Sequence, residues 1–158
     1  MLINNIKTIF FMLSLSIFFA QNNSNGYFSI SRIHYDGGGD WYSDKSSIPN
    51  LLKFVSDNTS ILTEKDERVV KIGDDIFFSS SYFYMTGHGN IKLSKEELII
   101  LRQHLVDGAF LPADDNYGMD ESFRKLIIEM FPEKDLIEIP PNHDLFNIYY
   151  EFPNGLPK

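Results

Sequence analysis

Gly87-His88-Gly89 and the adjacent carboxylates Asp114-Asp115 are the groups in this chain best equipped for chemistry. An imidazole between two glycines, directly after an apolar run, suits a metal ligand or a general base. Two carboxylates beside such an imidazole would make a divalent-metal site or an acid–base pair. A divalent metal held there would lower the pKa of its bound water and support hydrolysis. The expected metal set is His88, Asp114, Asp115 and His143, the last from Pro141-Asn142-His143-Asp144. The expected catalytic pair is His88 and Asp115. Plainer roles stay open beside these: ring nitrogens that cap loops, and aspartates that serve turns and helix ends. His104, mid-helix among charged residues, is expected to face solvent.

A third cluster is Asp36-Gly37-Gly38-Gly39-Asp40-Trp41. A glycine triplet lets the backbone take positive φ and approach a ligand closely. It lacks the spacing of GxGxxG and the lysine of a P-loop, so the nucleotide reading is weak. The alternative is a tight strand exit with Trp41 and Tyr42 packed over it. The expected ligand-binding set is Asp36, Gly37, Gly38, Gly39, Asp40, Trp41, Asn116 and Tyr117, with the aromatics available for stacking. Neither a GxSxG nucleophile elbow nor an HExxH zinc motif is present.

A parallel sheet would bring these clusters together. Residues 27–35, 79–86 and 109–113 are apolar or aromatic runs, and each ends in one of the clusters. Parallel strands would gather all three at one sheet edge, where α/β proteins bind ligands. Residues 109–113 are expected to form a short central strand. Residues 67–72 and 136–139 are further strand candidates, and residues 59–63 a short strand or its approach. Ser47-Ile48-Pro49 marks a helix start with proline in the first turn. Ser94-Lys95-Glu96-Glu97 is a capping box, opening a helix with Leu98, Leu101 and Leu105 on one face. Asp120 is placed to cap a helix carrying Phe123, Leu126, Ile127, Met130 and Phe131 inward. Strands alternating with such helices give an α/β three-layer sandwich with a mostly parallel central sheet.

At 158 residues the chain is of single-domain length. A 43% hydrophobic content with 14 Phe and 8 Tyr supports a packed core. The net charge of −8 argues against a nucleic-acid partner. Absence of cysteine excludes disulfides and a thiolate nucleophile, and suits an exported protein. Lys7, an apolar stretch over residues 9–20 and a polar run from Gln21 describe a signal peptide spanning residues 1–20, followed by a linker over 21–26. Cleavage after Ala20 would leave 13 basic against 22 acidic residues, a net of −9. An uncleaved anchor is the alternative, because Phe18 stands where a small residue is preferred. The expected location is the periplasm or cell envelope, with membrane contact only through that segment.

Four blocks in order carry a resemblance: Tyr35-Asp36-Gly37-Gly38-Gly39-Asp40-Trp41-Tyr42, Tyr84-Met85-Thr86-Gly87-His88-Gly89, Gly108-Ala109-Phe110-Leu111-Pro112-Ala113-Asp114-Asp115-Asn116-Tyr117-Gly118-Met119-Asp120 and Phe152-Pro153-Asn154-Gly155-Leu156-Pro157-Lys158. Over residues 27–158 the chain resembles the bacterial domain-of-unknown-function family 4159, found in exported or membrane-linked proteins. The resemblance implies a flavodoxin-like sandwich similar to class I glutamine amidotransferases. Those enzymes use a cysteine nucleophile, so amidotransferase activity does not carry over. Members of the family have Gly-Gly-Phe-Leu where this chain has Gly108-Ala109-Phe110-Leu111, and they continue past Gly-Leu-Pro-Lys. The domain at 27–158 is therefore expected to be incomplete at its C-terminus.

The expected function is binding of a small polar ligand, glycan or peptide at the C-terminal edge of the sheet. Alternatives are a metal-assisted hydrolase using His88 and Asp114/Asp115, and a non-catalytic scaffold with an envelope protein as partner.

Overall fold

The computed structural model describes residues 26–148 and 152. The expected signal peptide, most of the linker and nearly all of the closing block lie outside the described residues. Among the described residues four strands, β1 (Ser31–Ile33), β2 (Arg68–Val70), β3 (Phe83–His88) and β4 (Ala113–Tyr117), form one sheet in the order β2-β1-β3-β4. Every pairing in it is parallel. Four helices alternate with the strands: α1 (Ser47–Asn58), α2 (Asp75–Phe78), α3 (Lys95–Val106) and α4 (Asp120–Met130). A short 3₁₀ helix follows at Asp144–Phe146. Among the described residues no helix is long and apolar enough to cross a membrane.

Side-chain alternation along β3 divides the core. Phe83 and Met85 join Ile33 and Val70 on one face, packed against Phe77 of α2, Leu98 and Leu101 of α3, and Leu126 and Met130 of α4. Tyr82 and Tyr84 face the other way, with Ile30, against Ile48 and Leu52 of α1. Helices therefore cover both faces, as the α/β expectation requires.

Local signals explain the helices. Ser94 accepts the Glu97 N–H at 3.2 Å while the Glu97 carboxylate accepts the Ser94 N–H at 2.7 Å, which completes the capping box of α3. Helix α1 begins at Ser47 with Pro49 in its first turn.

Four expectations are corrected. Residues 109–113 are not themselves the strand: Phe110 bridges Tyr82, and the Phe110 and Pro112 carbonyls accept the N–H groups of Phe83 at 2.8 Å and Met85 at 3.1 Å, but the strand proper, β4, starts at Ala113 and, among the described residues, stands at the end of the sheet. Its register runs from Met85↔Ala113 to His88↔Tyr117, so Asp114, Asp115 and Asn116 lie within a strand. They are tolerated there because their side chains reach solvent or polar partners. Residues 136–139 form no strand; Leu136 and Ile137 are exposed. His104 does not face solvent. Its Nε2 lies 2.7 Å from the Ser80 carbonyl and its ring packs 4.9 Å from Phe77. Asp120 does not cap α4, since it is the helix's first residue and Asp115 supplies the acceptor.

Candidate functional site

From β1 the chain passes to β2 on one side, then returns across β1 to β3 on the other. The connections leaving β1 and β3 therefore lead to opposite sides of the sheet, the arrangement beside which α/β proteins place their ligands. Backbone hydrogen bonds join residues 36–40 of the first loop to residues 88–92 of the second. Lys92 N–H donates to the Asp36 carbonyl at 2.6 Å and Gly39 N–H to the Asn90 carbonyl at 3.1 Å. Asp40 N–H donates to the His88 carbonyl at 3.3 Å.

Side chains reinforce that last contact. His88 is the final residue of β3, and its N–H donates to Asp40 Oδ1. Its Nδ1 lies 2.9 Å from Asp40 Oδ2 and 3.1 Å from Oδ1. The His88 N–H foremost, and then its imidazole, holds the Asp40 carboxyl below the usual carboxylate range against the opposing effect of desolvation. An ionised carboxylate only accepts, so Nδ1 carries a proton, and in the neutral ring the lone pair is on Nε2. The His88 side chain is 54% exposed, and among the described residues Nε2 has no hydrogen-bond partner.

Tyr35 lies beneath the pair. Its hydroxyl donates to the Thr86 carbonyl at 2.9 Å, and burial, followed by the Asp40 charge, pushes its pKa up to about 12. The ring needs glycine on both sides. A Cβ at Gly39 would stand 2.9 Å from the Tyr35 ring and 2.7 Å from the Asn90 carbonyl. One at Gly87, where φ is +147°, would stand 2.3 Å from the Tyr35 hydroxyl.

The other expected site residues separate into groups. Trp41 stacks on His34 at 4.2 Å and packs partly into the core, so its ring is largely committed. Asp36 is exposed, and its carbonyl belongs to the loop pairing; Gly37 and Gly38 hold positive φ at the exposed turn. Asn116 reaches across from β4 and donates its amide to Ser43 Oγ at 3.1 Å and to Asp44. Tyr117 is 82% exposed, and its carbonyl accepts the Gly89 N–H at 3.3 Å.

The expected metal set does not assemble. Successive strand residues point to opposite faces, which splits Asp114 from Asp115. Asp114 accepts the Tyr84 hydroxyl at 2.9 Å, while Asp115 accepts the N–H groups of Met119 at 2.8 Å and Asp120 at 3.2 Å. His143 lies beyond α4, where its Nδ1 accepts the Leu145 N–H at 3.1 Å. Among the described residues no three His, Asp or Glu side chains converge to hold a metal ion. The expected pairing of His88 with Asp115 is corrected likewise: the imidazole turns to Asp40, and Asp115 serves a helix end. A cleft of about 530 Å³ lies beside β4, between Asp115, Phe123, Arg124 and Leu136. Its strand carboxylate, Asp115, is already engaged by α4, and Asp120 and Glu138 line it as well.

Sequence reasoning missed Arg32. It is 1% exposed on β1, with Nε 2.7 Å from Glu67. Its Nη1 donates to the carbonyls of Ser43 at 2.9 Å and Trp41 at 3.2 Å, and its ring-facing side lies 5.6 Å from the Tyr84 centroid. The guanidinium therefore clamps the loop that carries Asp40. A charge set inside an apolar strand was the available signal, since a buried arginine needs several acceptors.

Among curated proteins none matches the chain. A family sequence profile does, over residues 29–158, and this span takes in the glycine loop, the His88 strand end and the acidic strand. The chain belongs to the family described as Domain of unknown function (DUF4159).

Proposed function

We propose that this chain is an exported ligand-binding domain of the cell envelope, which takes a small polar ligand, glycan or peptide at the sheet edge where the β1 and β3 loops lie. The observation that carries the reading is the Asp40–His88 pair, seated where the strand order reverses and presenting an unpartnered Nε2 to solvent. Tyr42 and Tyr117, both exposed at the same edge, offer stacking faces. Export is supported by the apolar stretch over residues 9–20 with its polar sequel. The order β2-β1-β3-β4 agrees with the first four strands of a flavodoxin-like sheet.

The test is an amide NMR titration of the chain with chitobiose, with a short neutral peptide and with inorganic phosphate. Saturable shifts confined to residues 36–44 and 88–92 are expected with the saccharide or the peptide. Shifts centred on the cleft beside β4, or none with any probe, overturn the reading.

One observation favours a scaffold role as a second reading. Leu136, Ile137, Leu145 and Ile148 are each more than half exposed in one segment, which is apolar surface suited to a protein partner.

A further inference from the structure

We propose that Asp40 and His88 act as a general-base pair that activates water for the hydrolysis of an ester-bearing ligand, an inference that rests on the β1 and β3 loops being the ligand site. The geometry is that of a base with its orienting group. The carboxylate holds Nδ1–H at 2.9 Å and is itself fixed by the His88 N–H, so ring and carboxylate are set together. In a side chain that is 54% exposed, Nε2 is the ring nitrogen turned away from Asp40, and it is the base when the imidazole is neutral.

The surroundings select the bond. Glycoside hydrolysis calls for two carboxyl groups flanking the scissile bond, and Asp114 and Asp115 point to opposite faces with partners of their own. The β1 loop carries Asp36, Asp40 and Asp44 against Lys45, and the β3 loop adds Lys92, so the rim is acidic on balance and disfavours a phosphate ester. Amide cleavage needs a strong acid on the leaving nitrogen, whereas an alkoxide or phenoxide leaves with the proton that the imidazolium returns. In the step, Nε2 takes a proton from water as the water oxygen bonds to the ester carbonyl carbon. The bond from that carbon to the alcohol oxygen breaks, and the imidazolium protonates the departing oxygen. Acid and alcohol result, and no oxidant, reductant or co-reactant besides water is consumed.

Hydrolysis of p-nitrophenyl acetate by the full chain, by His88→Gln and by Asp40→Asn tests the pair. The Asp40→Asn side chain keeps an acceptor for the His88 N–H but presents a donor to Nδ1, which reverses the tautomer. The full chain is expected to exceed His88→Gln by about 100-fold without an initial burst, and Asp40→Asn to fall to the level of His88→Gln. Equal rates in the full chain and His88→Gln, a stoichiometric acyl-imidazole burst, or full activity in a folded Asp40→Asn each overturn the proposal. If Asp40→Asn melts early, His88→Gln, which retains the backbone bond to Asp40, carries the comparison alone. Chitobiose or peptide shifts at residues 40 and 88 without turnover sink the hydrolytic step and leave the binding site standing. Absence of both shifts and turnover sinks the two together.

Discussion

Tyr35 and Gly87 occupy complementary space: the tyrosine hydroxyl fills the volume that a side chain on residue 87 would take, 2.3 Å from where its Cβ would stand. Gly87→Ala is therefore expected to destabilise the fold by about 2–4 kcal/mol, through positive φ and overpacking together. Removing the hydroxyl relieves part of the clash. Denaturant unfolding of Gly87→Ala, Tyr35→Phe and the double variant should show the double variant more stable than the sum of the singles; strict additivity would mean the two residues do not share that space.

The same hydroxyl sets an alkaline limit. An unfolded tyrosine ionises near 10, whereas Tyr35 keeps its proton to about 12. Between these values the unfolded chain binds fewer protons, so stability falls as pH rises. Tyr35→Phe should flatten that slope in melts taken across the interval. An unchanged slope would place the alkaline loss elsewhere.

Asp40 acts at the other end of the scale. Its lowered folded pKa means its contribution is full above the unfolded carboxyl value and fades as pH drops through the folded one. Carboxyl-carbon NMR titration should find Asp40 titrating below an unpaired aspartate in the wild type and closer to the ordinary value in His88→Ala. Since the His88 N–H is the leading cause, only part of the shift should be lost with the ring.

Arg32→Met should cost about 3–5 kcal/mol, because it strips donors from the Trp41 and Ser43 carbonyls and leaves Glu67 unpaired. Amide exchange in residues 40–46 should accelerate beyond the rest of the sheet. Uniform acceleration throughout would deny the arginine its role as a loop clamp.

Asp115→Ala should cost about 1 kcal/mol as a lost helix cap and leave the His88 imidazole resonances unmoved. A large shift at His88 would restore a direct coupling between the two residues.

The three long helices were legible because their signals are local, whereas the single turn of α2 at Asp75–Phe78 went unread. The Ser94–Glu97 reciprocal cap and the spacing of Leu98 and Leu101 lie within one or two turns, and both stand as read. Strand positions depend on partners far away in the chain. Residues 109–113 looked like a strand from their apolar character and do hydrogen-bond to β3 through Phe110 and Pro112, yet the strand itself runs on over Ala113–Tyr117, where polar side chains satisfy themselves on Tyr84 and on α4. Residues 136–139 have strand composition but no paired neighbour among the described residues. For the site, parallel strands did bring the β1 and β3 loops to one edge, while the third cluster lies within β4 instead of following it. Which carboxylate His88 would choose was beyond a sequence reading: Asp40 and Asp115 are equally acidic on paper, and only the turn at Gly39 and the start of α4 decide between them.

The acidic character of β4 has a bearing on solubility. Among the described residues β4 ends the sheet; a strand so placed is a ready template for foreign chains, and this one carries two adjacent aspartates. Replacing both with threonine would leave an uncharged, β-prone ribbon at the rim, and the molecule would be inclined to self-associate at concentrations where the native chain stays dispersed.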